Sequence, residues 1–248
     1  MIRSLYVLLC LIPLTAILGT LAILTAIFDR SGNIIHHYGK WWAKCILWAS
    51  GVRVEVYGLE NIGSNQGYIL AANHQSYYDI LALLGYLPVQ FRFLAKKELF
   101  RIPIFGWAMY SAGHIPIDRS RPQKALKSLE TAALRVPDGT SIIIFPEGTR
   151  SPDGKVKSFK RGGFVLAIQS RRPVVPVAID GGYKILPRGS LKVRSGKIKV
   201  VIGEPIDSKP YSINQKGELM QKVRKMVVEN FNRIRHEKKY VKEKSDNY

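Results

Sequence analysis

Acidic residues are scarce in this chain of 248 residues. Asp and Glu together number 18 against 38 Lys and Arg, which leaves a formal charge of +20. An excess of that size asks for an anionic partner, and nucleic acid, anionic lipid and an acidic carrier protein all qualify. Cysteine is almost missing, with Cys10 and Cys45 alone. That excludes a disulfide framework and suits a reducing compartment or a membrane setting. Charge is missing altogether between Ser4 and Phe28. There is no Gly-x-Ser-x-Gly elbow, P-loop, Gly-x-Gly-x-x-Gly, His-Glu-x-x-His or Cys-x-x-Cys. The sequence therefore offers no serine-elbow nucleophile, and neither a metal nor a cofactor is expected. What is present in quantity is apolar: 46% of residues are hydrophobic, too many for a disordered basic tail.

The uncharged run of 25 residues from Ser4 is preceded by Arg3 and followed by Asp29 and Arg30. As a helix it would reach about 37 Å, enough to cross the hydrocarbon core of a bilayer. A signal peptide is the rival, but its apolar core is shorter, about 7–15 residues, and Ile27-Phe28-Asp29 makes a poor cleavage site. Pro13 and Gly19 are places where the run could kink. Next, Ile34, Tyr38, Trp41, Cys45 and Trp48 recur at helical spacing, with Trp42, Ile46 and Leu47 widening the face. Three of the four tryptophans fall here, and Trp favours the headgroup level of a membrane. The spacing predicts an interfacial helix forming a hairpin with the first; the alternative is a helix packed into the core. Residues 1–50 are thus read as membrane-binding helices, 51–240 as the main domain and 241–248 as a charged tail.

The main domain alternates strands and helices. Strands are expected at Val52–Tyr57, Tyr68–Ala72, Phe91–Ala95, Ile115–Ile117, Ser141–Phe145, Val174–Ile179 and within Lys192–Ile202. Helices are expected at Ile80–Leu87, Gln123–Val136, Gly162–Ser170 and Asn214–His236. This order predicts an α/β fold, a mixed sheet flanked by helices. Pro176 lies inside a strand and suits an edge or a bulge.

Chemistry gathers in loops that follow strands. In Asn73-His74-Gln75-Ser76-Tyr77-Tyr78-Asp79, His74 could take a proton from a hydroxyl, and Asp79 could hold the ring and stabilise its cation. Five residues of continuous helix turn about 500°, so the two would meet only with His74 in the preceding turn. Ser76 and Asp79 equally fit a capping box, which would leave Asp79 a purely structural residue. A His–Asp pair without a protein nucleophile suggests transfer directly to a substrate hydroxyl. In Phe145-Pro146-Glu147-Gly148-Thr149-Arg150-Ser151, Arg150 could hold a phosphate and Glu147 could accept hydrogen bonds from substrate hydroxyls. Lys155, Lys157, Lys160 and Arg161 follow, although such a run is also what a solvated turn looks like. Lys96, Lys97, Arg101, Asp118 and Arg119 add charge near neighbouring strand ends. Val174 to Ile179, around Pro176 and Val177, could line an acyl channel or simply be core.

Taken in order, these segments resemble the glycerolipid acyltransferase family. Asn73, His74 and Asp79 match its Asn-His-x4-Asp motif, and Phe145 to Ser151 match Phe-Pro-Glu-Gly-Thr-Arg-Ser without exception. Gly113 to Arg119 resemble its second motif, and the apolar segment around Pro176 its fourth. The likeness covers about Val52 to Glu204, with His114 a departure at a variable position. It implies that His74 is the general base, Asp79 its partner, and that Arg119, Glu147, Gly148, Thr149, Arg150 and Lys96 bind glycerol phosphate. It implies acyl-CoA or acyl carrier protein as donor and lysophosphatidic acid as acceptor. An anionic inner membrane with the site on its cytoplasmic side is implied too, and no nucleic acid.

Overall fold

A computed structural model describes residues 2–63, 66–118, 128, 136, 137 and 139–245, the last nine by backbone only. Seven strands form one sheet: β1 (Val52–Tyr57), β2 (Ile69–Ala72), β3 (Phe91–Lys96), β4 (Ile115–Ile117), β5 (Ser141–Ile144), β6 (Val174–Asp180) and β7 (Gly196–Ile202). Their spatial order is β1-β7-β6-β2-β5-β3-β4. All neighbours are parallel except β6 and β7, so the sheet is mixed, as the alternation predicts.

Two apolar layers cover it, because successive side chains of a strand point to opposite faces. Leu70 and Ala72 join one cluster, which contains Leu81, Leu83 and Leu84 of α3 (Tyr77–Tyr86). Ala43, Ile46 and Leu47 of α2 (Asn33–Ala49) belong to the same layer. Ile69 and Ala71 join the other, with Phe164 and Leu166 of α5 (Gly162–Ser170) and Leu219, Val223 and Val227 of α7 (Lys216–Ser245). Two shorter helices complete the fold, α4 (Phe105–Ser111) against α1 and α6 (Gly182–Ile185) against α3. The expected helix at Gln123–Val136, apart from residues 128 and 136, and the charge at Arg119 lie outside the described residues. Helix α7 continues past His236 to Ser245, so the tail expected at 241–248 is helical over its first five residues. Its Lys- and Glu-rich sequence has adequate helix propensity.

Helix α1 (Ile2–Thr25) is continuous through Pro13. It is the one helix among the described residues long and apolar enough to cross a membrane, with mean hydropathy 2.6. It lies along α2, where Trp42 Nε1 donates to Thr15 Oγ1 at 2.9 Å and Thr25 Oγ1 meets Tyr38 Oη at 3.2 Å. Asp29 turns the hairpin, its carboxylate accepting from the backbone of Ser31, Gly32 and Ile34. Arg92 in β3 fastens that turn to the sheet by donating to Ser31 O and Asn33 Oδ1, both at 2.8 Å.

Helix α2 packs one face into the core and leaves the other outward. Ile46 and Leu47 are core residues rather than part of the tryptophan stripe. Trp41 (68% exposed) and Trp48 (78%) stand outward with Ile34 and Cys45. Of the two settings expected for Pro176, the structure has the bulge and not the edge. Strand β6 is interior, not an edge. The proline is tolerated because pairing slips by one residue between Val177↔Ile202 and the bridge Val174↔Ile206. At that slip Gly203 donates to Pro176 O at 2.8 Å, and the regular pairing that would call on an N–H from Pro176 is interrupted.

Candidate active site

Strands β2, β5, β3 and β6 run the same way, so the segments after them collect along one edge of the sheet. Ligand sites of open α/β sheets lie outside such carboxyl ends. Asn73, fully buried, locks the end of β2 to the end of β6: its amide donates to Ile179 O at 2.8 Å and accepts from Ile179 N at 2.7 Å. That clamp fixes the turn that carries His74.

The turn brings His74 back over the start of α3, as the spacing requires. His74 Nδ1 lies 3.0 Å from Asp79 Oδ2. The same oxygen accepts from Gln75 N at 2.6 Å and Ser76 N at 2.7 Å, while Ser76 Oγ accepts from Tyr78 N at 3.3 Å. A capping box and a His–Asp pair therefore coexist on one carboxylate, which has acceptor sites enough for both. Asp79 is fully buried, whereas the His74 side chain keeps 12% of its surface exposed. The imidazole stacks on Phe145, with centroids 4.0 Å apart and planes 20° from parallel. With Nδ1 held by the carboxylate, Nε2 is the nitrogen left for chemistry. Both nearby serine hydroxyls are engaged elsewhere: Ser76 Oγ donates to Leu186 O at 2.8 Å and Ser151 Oγ to Asp153 at 2.9 Å.

The loop after β5 packs directly on this turn. Ser151 N donates to His74 O at 2.7 Å, and His74 N donates to Glu147 Oε1 at 3.1 Å. Glu147 is 2% exposed, and its other oxygen is sealed from solvent. Burial pushes its carboxyl up to about 7 despite hydrogen bonds from the backbone of His74 and Lys157. The geometry turns Glu147 inward as a brace between the loops. Gly148 holds φ +75°, a conformation glycine adopts at no cost, and Lys160 lies against it. The Arg150 guanidinium sits 3.8 Å above the Tyr77 ring, and Thr149 beside it is exposed. His74, Tyr77, Asp79, Arg150 and Glu147 thus share one locality.

Other expected site residues stand apart. Lys96 pairs with Glu98 at 3.6 Å, and Lys97 with Asp118 at 2.8 Å, two strands away from β2. Pro176 and Val177 are buried within the sheet, where core describes them. Among the described residues no group of His, Cys, Asp or Glu is arranged to hold a metal.

Gly182 goes unnoticed in the sequence. A Cβ there would fall inside contact distance of Asp79 Oδ1 and 3.0 Å from Ser76 Cβ. The signal was the glycine pair directly after a strand, which marks a close backbone approach.

The model of a family described as Acyltransferase matches residues 53–180. The chain is 37% identical to the chloroplastic 1-acyl-sn-glycerol-3-phosphate acyltransferase of Brassica napus over 73% of its own length and 53% of that protein's. It is 36% identical to the 1-acyl-sn-glycerol-3-phosphate acyltransferase of Pseudomonas aeruginosa, over 76% of itself and 74% of that protein. The crystal structure of the 1-acyl-sn-glycerophosphate (LPA) acyltransferase from Thermotoga maritima superposes with a TM-score of 0.81 at 30% identity, covering 94% of this chain and 95% of that one. The chain spans about half the length of the Brassica relative, 53% of it.

Proposed function

Because the chain belongs to the acyltransferase family, we propose that it moves a fatty acyl group from a thioester to the 2-hydroxyl of a 1-acylglycerol 3-phosphate, making phosphatidic acid. One observation supports this most: a His–Asp pair at 3.0 Å whose neighbouring serines point their hydroxyls elsewhere. The nucleophile is then the acceptor's own hydroxyl. His74 Nε2 takes its proton as the oxygen attacks the thioester carbonyl and the C–O bond forms. Asp79 holds the Nδ1 proton and stabilises the imidazolium. The tetrahedral intermediate collapses, the C–S bond breaks, and the imidazolium returns the proton to the leaving thiolate. Ester and free thiol are the products.

Arg150, partly exposed above Tyr77, is placed to grip the acceptor phosphate, with Thr149 and the Lys155–Arg161 run adding donors and charge. Gly148 and Lys96 act at most through shape and field. Acyl-CoA and acyl carrier protein are both polyanionic donors that suit a chain of charge +20. The outward stripe of α1 and α2, with Trp41 and Trp48, suits an inner membrane and a site on its cytoplasmic side.

The test is thioester consumption by His74→Ala. Loss of a general base costs about 10²–10⁴-fold or more. Turnover within a few-fold of the parent, with the fold intact by circular dichroism, would end the base assignment.

A further inference from the structure

The segment between α6 and β7 carries the most exposed large apolar side chain described, Leu191, at 91%. A single exposed Leu needs no explanation, but its setting does. From Gly181 to Gly203 the sequence has no acidic residue and six basic ones: Lys184, Arg188, Lys192, Arg194, Lys197 and Lys199. Arg188, Lys192 and Arg194 flank Leu191 and are exposed. The segment is tethered at both sides. Val193 N donates to Ser4 Oγ at 2.9 Å, which ties it to the first turn of the apolar helix α1. Arg188 Nη1 reaches Arg150 O at 3.5 Å, and Leu186 O accepts from Ser76 at 2.8 Å, which ties it to the proposed site.

We infer that residues 187–194 are a second membrane contact, with Leu191 entering an anionic bilayer surface and Arg188, Lys192 and Arg194 lying among its headgroups. The occupant follows from the combination. Basic side chains around an apolar tip match a charged interface over hydrocarbon, and the tie to Ser4 continues the apolar surface of α1. Such a contact would set the mouth beside Arg150 at the level where a lipid acceptor's phosphate lies. The inference rests on the proposed acyl transfer at a membrane, so its test reads contact separately from chemistry.

The full chain carrying Leu191→Trp is mixed with phosphatidylglycerol vesicles whose acyl chains are brominated. The added emission is expected to shift to the blue and be quenched. A control, Glu229→Trp on the outer side of α7, is expected to be unaffected. If the native tryptophans are quenched and the one at 191 is not, the segment is no membrane contact, while α1 and α2 keep theirs. If neither is quenched, the inference and the membrane reading both fall. In a second arm, Leu191→Ser with Lys192→Gln and Arg194→Gln is expected to slow transfer to vesicle-borne acceptor about tenfold. Transfer to a short-chain, monomeric acceptor is expected to stay unchanged. Lost turnover on both acceptors would overturn the inference. So would a raised KM for acyl carrier protein with vesicle contact intact, which would make the segment a donor dock. Activity of the parent on the soluble acceptor tests the proposed reaction independently.

Discussion

Two loops meet at the carboxyl edge of the sheet, and they hold their acids in opposite ways. In the turn after β2, Asp79 gathers His74 Nδ1, Gln75 N and Ser76 N within five residues of itself. In the loop after β5, Glu147 reaches across 73 residues to the backbone of His74 and lies where burial raises its carboxyl to about 7. The first acid is a local device that orients a ring. The second is a long-range brace that sets where the first device sits. On the proposed mechanism charge is essential to one, since it must balance an imidazolium, and incidental to the other, since accepting a backbone N–H requires only an oxygen.

Neutralising each acid without changing its shape gives the sharpest separation. Asp79→Asn is expected to lower kcat by about 10³–10⁴-fold, because an amide cannot compensate the ring's positive charge or hold its tautomer. Glu147→Gln keeps an oxygen for His74 N, and its expected cost is under about tenfold. Single-turnover rates for the two variants, taken with their melting curves, check this. Equal losses would mean that Glu147 does its work as an anion and that the contrast between the loops is false.

Gly182→Ala attacks Asp79 from behind without touching its chemistry. The new methyl must displace Asp79 Oδ1 and crowds the Ser76 side chain, and if the proposed dyad is catalytic an ångström of misplacement costs up to about 10²-fold. The expectation is a fall in kcat of about tenfold to 10²-fold at nearly constant KM, with the acid limb of the pH–rate profile shifted. A change in melting temperature alone would make Gly182 a packing residue only.

Legibility in the sequence follows the same divide. The dyad and the cap were both readable because their partners lie within a few residues and each has a spacing rule. Strand positions were readable because Ile142, Ile143 and Ile144, or Val174 to Ile179, are continuous apolar runs of buried strands. Orientation across the sheet was not. The inward turn of Glu147, the clamp from Asn73 to Ile179 and the approach of Gly182 join segments about 70 to more than 100 residues apart, and no periodicity encodes such pairs. Pro176 could be read only as far as an edge or a bulge for the same reason: the choice depends on a register slip in another strand.

The last expected effect concerns stability rather than turnover, and it sets Glu147 against a buried polar cluster around Arg92 of β3. Burial, with Arg92 nearby, holds His36 and His114 down at about 3, against an ordinary 6.5. Between those values the unfolded chain binds protons that the folded chain refuses, so these two groups make stability rise with pH from about 3 to 6.5. Glu147 acts with the opposite sign. Its raised value favours the folded state below its ordinary 4.5 and withdraws that support as pH climbs to about 7. One proton per histidine changes stability by about 1.4 kcal/mol per pH unit. Among these three groups, the histidines act without Glu147's opposition below pH 4.5, and from 4.5 to 6.5 Glu147 offsets part of their effect, so the rise in stability flattens. Urea unfolding in micelles across this range is expected to show that break in slope and a maximum near pH 6.5. Glu147→Gln removes that opposition and steepens the upper segment. His36→Phe works the other way. Neither ring nitrogen of His36 has a hydrogen-bond partner, and its edge already packs against Phe91 at 4.7 Å, so a phenyl ring fits the site and removes one proton's worth of slope. A slope unmoved by either variant would mean that these groups titrate alike in both states and that burial does not set their charge.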